Sequence, residues 1–158
     1  MNDPAEQAGI DPVDRLAILA AALPGAAVRQ RRIAASFDAV WRVIADLEHV
    51  TPRFEPGVAR LHVTRRNGQH LELLVERADG REETMQATLR PGWCLMQSLT
   101  TVVAFAAQQV GSQTLLAHLE HSRVPARPPG VSQRRRNWLA KIDEELRVIE
   151  ELVTQDRH

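Results

Sequence analysis

Between Val58 and Arg123 the chain is cut at short intervals by Asn67-Gly68, Asp79-Gly80, Pro91-Gly92 and Gly111-Ser112. Asn-Gly and Asp-Gly favour the positive φ angles of tight hairpins, so the segments between them are predicted to run antiparallel. This gives a meander of about six strands, near 58–66, 69–78, 81–90, 93–98, 100–110 and 113–123. Leu71, Leu73 and Val75 alternate with Glu72 and Glu76, and Met85, Ala87 and Leu89 alternate with Thr84, Gln86 and Thr88. One face of the sheet is apolar and must be covered. Ideal two-residue turns do not bring every apolar set to one side, so the meander requires at least one bulge or longer turn.

The cover is supplied by residues 132–154. At about 100° per residue, Trp138, Leu139, Ile142, Leu146, Val148, Ile149, Leu152 and Val153 share one broad helical face. Lys141, Asp143, Glu144, Arg147 and Glu151 lie opposite. Glu145 breaks the pattern, because it falls within the apolar arc between Leu152 and Trp138.

Residues 1–10 read as a tail. Asp11 and Pro12 open a helix over 11–23 that ends before Pro24-Gly25, with Leu16, Leu19, Ala20 and Leu23 as a modest apolar stripe. A strand is expected over 28–35, and Ser36 then caps a helix carrying Phe37, Val40, Trp41, Ile44 and Leu47. A second short helix through His49 to Arg53 is expected to stop at Pro52 and Pro56. The proline-rich segment 124–131 connects the meander to the last helix.

With 158 residues and 44% hydrophobic content, the chain is sized for one globular core. Its formal net charge is zero, which argues against bulk attraction to nucleic acid. Cys94 is the only cysteine, so no intramolecular disulfide can form and a cysteine-based zinc site is disfavoured. There is no basic-then-apolar leader and no run of about 20 apolar residues to span a bilayer, so a cytoplasmic protein without stable membrane insertion is expected.

The order strand, two short helices, antiparallel meander and C-terminal amphipathic helix resembles the START-like superfamily, also called the helix-grip or Bet v 1-like (SRPBCC) fold. Within it, the chain is similar to bacterial polyketide cyclase/dehydrase-like proteins. The resemblance covers 26–154 and is carried by IAASFDAVWRVIADLEHV, by Pro91-Gly92-Trp93 and by the last helix. It implies an α+β domain in which about seven strands curve around that helix and enclose an apolar cavity, with 1–25 as an added tail and helix. The implied ligand is a lipid, polyketide or isoprenoid-like compound, contacted by Arg53, Phe54, Leu73, Trp93, Phe105, Trp138, Ile142, Glu145 and Ile149. No cofactor or metal is implied.

Glu145 is the foremost candidate for chemistry. In an apolar cavity burial would raise its pKa and suit it to acid/base work, or it would pair with an arginine or with a polar group of a ligand; a reach to water at a lifted helix end or a structural ion pair would leave it without chemistry. His118 and His121, three apart on a strand, point to opposite faces and cannot share a metal. His121 shares a face with Leu115, Ala117 and Leu119 and is a candidate to look into the cavity, against the preferred reading of a satisfied or rim histidine; the strand register leaves His62 and His121 open between inside and outside. His118-Leu119-Glu120 matches half of a zinc-deaminase pattern whose cysteine half is missing. Arg53 at the cavity mouth is a candidate clamp for an anionic group, against the reading of a solvated arginine. Trp93 and Trp138 serve equally as core. Arg134, Arg135 and Arg136 form a local anion attractor or a solvated run. Three functions follow: binding of a small hydrophobic ligand, a cyclase or dehydratase using Glu145 with His121 or Arg53, and an interaction module for a protein partner or second copy using the 11–23 helix and the arginines.

Overall fold

Ser36 begins the first of the two short helices as the sequence predicts: its Oγ accepts a hydrogen bond from the Ala39 N–H at 3.2 Å. Asp11 stands at the equivalent position of the N-terminal helix, but its side chain makes no cap. The free donor there is instead met from the sheet, where Gln108 Oε1 accepts from the Val13 N–H at 3.1 Å. The computed structural model describes residues 9–125 and 130–156. Most of the predicted tail, part of the proline-rich connector and His158 lie outside the described residues.

The elements are α1 (Pro12–Ala21), β1 (Ala27–Ile33), α2 (Phe37–Ala45), α3 (Leu47–Phe54), β2 (Val58–Asn67), β3 (His70–Arg77), β4 (Glu82–Arg90), β5 (Trp93–Gln97), β6 (Thr101–Val110), β7 (Gln113–Ser122) and α4 (Gly130–Gln155). The α3 helix runs through Pro52 instead of stopping there. The strands form one sheet in the order β1-β7-β6-β5-β4-β3-β2, with every neighbouring pair antiparallel. The irregularity demanded by the apolar pattern lies in β2, whose register against β3 shifts between Val58 and Arg60 and again between Val63 and Arg65.

Two hydrophobic layers result. On one face, Leu71, Leu73, Met85, Phe105 and Leu116 pack with α2, α3 and the Ile142, Leu146 and Ile149 stripe of α4. On the other, Val13 and Leu16 of α1 lie against Trp93, Val102, Ala104, Ala106, Ala117 and Leu119. The central strands are thus buried on both sides, and burying each large side chain contributes about 1.5–3 kcal/mol. Arg29 and Arg31 of β1 tie the sheet edge to α4 through Asp143 at 3.5 Å and Glu150 at 2.9 Å.

Gly92 fixes where α1 meets the sheet. Its φ is +80°, and a Cβ there would lie 2.9 Å from the Ala107 carbonyl and 3.4 Å from Pro12. Gly68, at φ +59°, has open space around the same position. Gly92→Ala is therefore expected to destabilise the fold by more than the roughly 1 kcal/mol of left-handed strain alone, and by more than Gly68→Ala. Urea denaturation of the two variants measures the difference.

Candidate functional site

Glu145 faces inward from the middle of α4, as its position in the apolar arc requires, and is 1% exposed. Opposite it stands His118 of β7, also 1% exposed, with Nε2 2.7 Å from Glu145 Oε2. The other ring nitrogen, Nδ1, is 3.0 Å from the Ala104 carbonyl and can only donate to it, which leaves Nε2 for Glu145. The Phe105 ring stacks on the imidazole with centroids 4.0 Å apart, and Phe54 meets Phe105 edge-on at 5.7 Å. Backbone, aromatic ring and carboxylate together hold His118 in one orientation.

Lys141 extends the cluster. One helical turn before Glu145, it falls by periodicity on the polar face, yet its stem bends inward and its side chain is only 34% exposed. The ammonium donates to Glu55 just after α3, and to Glu120 Oε1 at 2.8 Å. It also lies 2.9 Å from Glu145 Oε1. That oxygen has no aligned hydrogen bond, so the contact to it is coulombic rather than directional. Three carboxylates thus converge on two basic groups.

These contacts set the protonation states. Burial opposes the charge on His118, but hydrogen bonds and coulombic attraction from Glu120 and Glu145 raise its pKa to about 9. Burial alone would raise Glu145, as the sequence suggested for an apolar cavity. The hydrogen bond and charge of His118, together with the Lys141 charge, instead carry it down to about 2. The raised carboxyl is Glu55: burial and the neighbouring Glu145 push it up to about 7 against the pull of Lys141. His118, Glu120 and Glu145 also bring ligand atoms within 4.8 Å of one another, a spacing compatible with a metal ion. The Lys141 ammonium already stands beside Glu120 and Glu145, so the carboxylates have a cation without one.

The cluster opens to solvent along a cleft of about 810 Å³ between α4 and the ends of β3 to β7. Glu55, Lys141 and Glu120 form its inner end, Val103 and Trp138 an apolar wall, and Ser98, Thr100 and His121 part of its outer end. The ligand contacts implied by resemblance divide accordingly. Trp138 lines the cleft. Phe54, Leu73, Phe105, Ile142 and Ile149 are packed core around and beneath it. Trp93 lies on the opposite face of the sheet against α1, with the Arg15 guanidinium 4.9 Å from its ring centre. Arg53 is exposed, and it is Glu55, two residues on, that reaches the cleft.

His121 pairs with Val102 and belongs to the alternation facing α1, reaching the cleft only because it stands at the strand end. Leu116, His118 and Glu120 form the face toward α4. Period-two alternation leaves the inward face of β7 undecided and so does not single out His118 and Glu120, while His121 stands at the rim. The available signal was chemical: a buried Glu145 needs a basic partner on the facing strand, and of the two β7 histidines only His118 stands in the middle of the strand, opposite the middle of α4.

The raised pKa of His118 predicts a direction for stability against pH. A group that holds its proton more tightly when folded adds stability that is complete below its unfolded pKa of about 6.5 and is lost as pH rises through about 9. The melting temperature is expected to fall between pH 7.5 and 9.5 in the wild type and to be flatter in His118→Gln. NMR titration of the His118 ring should find it still protonated at pH 8.

No protein-family model matches the chain, and no curated protein matches it in sequence. Solved structures do match. A protein from Thermus thermophilus aligns at 17% identity over 84% of this chain and 99% of its own, with a TM-score of 0.67. A START superfamily protein from Mycobacterium smegmatis aligns at 17% identity over 82% and 97%, with a TM-score of 0.62. An aromatase/cyclase from a Streptomyces species aligns at 15% identity over 84% and 95%, with a TM-score of 0.61. Among the described residues no helix is long and apolar enough to cross a membrane. The seven-stranded sheet gripping α4 and the agreement with these structures show that the chain has the START-like, Bet v 1-like helix-grip fold.

Proposed function

We propose that the protein binds a small, largely hydrophobic ligand, of the lipid, polyketide or isoprenoid-like kind, in the cleft beside α4. The supporting observation is the pairing of an apolar wall, Val103 and Trp138, with a carboxyl group, Glu55, held near neutrality at the inner end. Leu73, Phe105, Ile142 and Ile149 fill the space between sheet and helix, so the ligand sits farther out than a cavity beneath α4 would place it. The charge balance selects its buried end. Lys141 is already shared by Glu55, Glu120 and Glu145 and offers no surplus positive charge, so the group that meets it is an uncharged carbonyl or hydroxyl. Proteins of the same fold include an aromatase/cyclase, in keeping with an oxygenated organic ligand.

The raised pKa of Glu55 favours a second reading, acid/base catalysis of a cyclisation or dehydration. A carboxyl titrating near 7 can give and take a proton at neutral pH, with the Lys141 ammonium beside it to stabilise a developing enolate. Glu55 rather than Glu145 takes that role, because Glu145 does not line the cleft and is engaged by His118 and Lys141. His121 and Arg53 do not share the cluster.

Both readings turn on Glu55. Protonated Glu55 donates to a ligand carbonyl, so affinity for a carbonyl ligand is expected to fall as pH rises through about 7, and Glu55→Gln should flatten that dependence. Trp138 fluorescence and native mass spectrometry with aromatic and polyprenyl ketones read the binding. Failure to retain any of them would refute the binding function. In the catalytic reading, Glu55→Gln should lower turnover of a poly-ketone substrate by about 100-fold while changing its affinity little.

A further inference from the structure

Two arginines stand beside the outer end of the cleft, just outside its lining, while within it Glu83 accepts from Ser98 and Thr100 and is paired with Arg77. The Arg123 guanidinium is anchored by the Ser98 carbonyl at 3.1 Å and Gln97 Oε1 at 2.6 Å. Arg134 is anchored by the Val124 carbonyl at 2.8 Å and lies 5.3 Å above the Trp138 ring. Among the described residues neither is within ion-pair distance of a carboxylate. On the opposite wall, Arg77 and Arg81 are paired with Glu83 and Asp79.

Both unpaired guanidinia bear on the same wall residue. The pKa of His121, half-buried at the cleft, is lowered by burial and by the charges of Arg134 and Arg123. Each arginine uses only part of its set of five donors, and each is held by neutral acceptors, so its charge is oriented but not neutralised. Trp138 and Ser98 connect these positions directly to the cleft lining.

We infer that Arg123 and Arg134 form an anion subsite at the cleft mouth, and that the ligand is an amphipathic acid whose carboxylate or phosphate they receive while its apolar body lies along Trp138. The inference rests on the cleft being the binding site and adds the ligand's charge and direction of entry. The uncharged end points toward Glu55, and the anionic end stays at the rim, where solvent lowers the cost of holding it.

Titration calorimetry with dodecanoate, dodecyl phosphate and dodecanol, each below its micellar concentration, tests this on the wild type and on Arg123→Gln/Arg134→Gln. The two anions are expected to bind at least about tenfold more tightly than the alcohol at low salt, a gap that narrows as salt is raised. The relative affinity of the two anions reports whether carboxylate or phosphate is preferred. The double variant should bind all three compounds with the affinity of the alcohol, and an unchanged melting temperature would show that it folds. Equal binding of acid and alcohol by the wild type, or a gap that survives in the double variant, overturns the subsite while leaving the cleft reading intact. Failure of all three compounds to bind overturns both.

Discussion

The contact between Glu145 and His118 decides how α4 lies on the sheet. Each group is almost completely removed from water, and an unpartnered charge in that position would cost several kcal/mol. The carboxylate can be buried only if α4 is rolled so that Oε2 meets the imidazole, and the imidazole can be charged there only if a carboxylate faces it. Apolar residues on either side of Glu145 would accept a range of helix rotations; the ion pair accepts a narrow one. Ala104 and Phe105 then fix the ring from β6, so one proton position couples two strands and a helix. Replacing the pair by well-packed apolar groups could match its stability. Such a core would lack the charge at Glu145 that helps raise Glu55 at the cleft.

The fold was legible where local chemistry has a single outcome. Asn67-Gly68 and Asp79-Gly80 allow tight reversals, Ser36 caps, and the α4 stripe has one apolar side. Legibility failed in β6 and β7, where period-two reasoning needs one wet face and neither strand has one. With α1 over Ala104, Ala106, Ala117 and Leu119, both alternations of β7 are buried, and hydrophobicity cannot say which faces α4. Lys141 and Glu55 were hidden for another reason. A lysine stem can carry its charge around the helix from the polar side, and Glu55 acquires its role from the loop geometry after α3, which periodicity does not describe.

That covering helix also explains the position of the cleft. Trp93 and Cys94 are adjacent in β5, so one must face α1 and the other α4; the large indole goes to the α1 side and the small thiol to the grip side. Phe105, Leu73 and the α4 stripe nevertheless close the space beneath the helix. The cleft lies toward the start of α4, where Trp138 and Lys141 replace that stripe and the strands end in polar turns. Binding can therefore occur without disturbing the packing between the middle of α4 and the sheet.

A formal charge of zero conceals a strong gradient along this opening. At the inner end Glu120 and Glu145 are balanced against Lys141 and His118, with Glu55 held near neutrality beside them, so the arrangement gains little from a further full charge and penalises one that displaces a partner. At the outer end Arg123 and Arg134 face solvent with only neutral acceptors, and an anion arriving there forms charge-assisted hydrogen bonds without breaking an ion pair. Between them, Trp138 supplies apolar surface that contributes to affinity without setting direction. An amphipathic molecule entering with its anionic end inward would strand that charge among carboxylates and leave the arginines unsatisfied. The reverse orientation satisfies both ends, so the order of charges along the cleft specifies polarity even where the apolar wall does not.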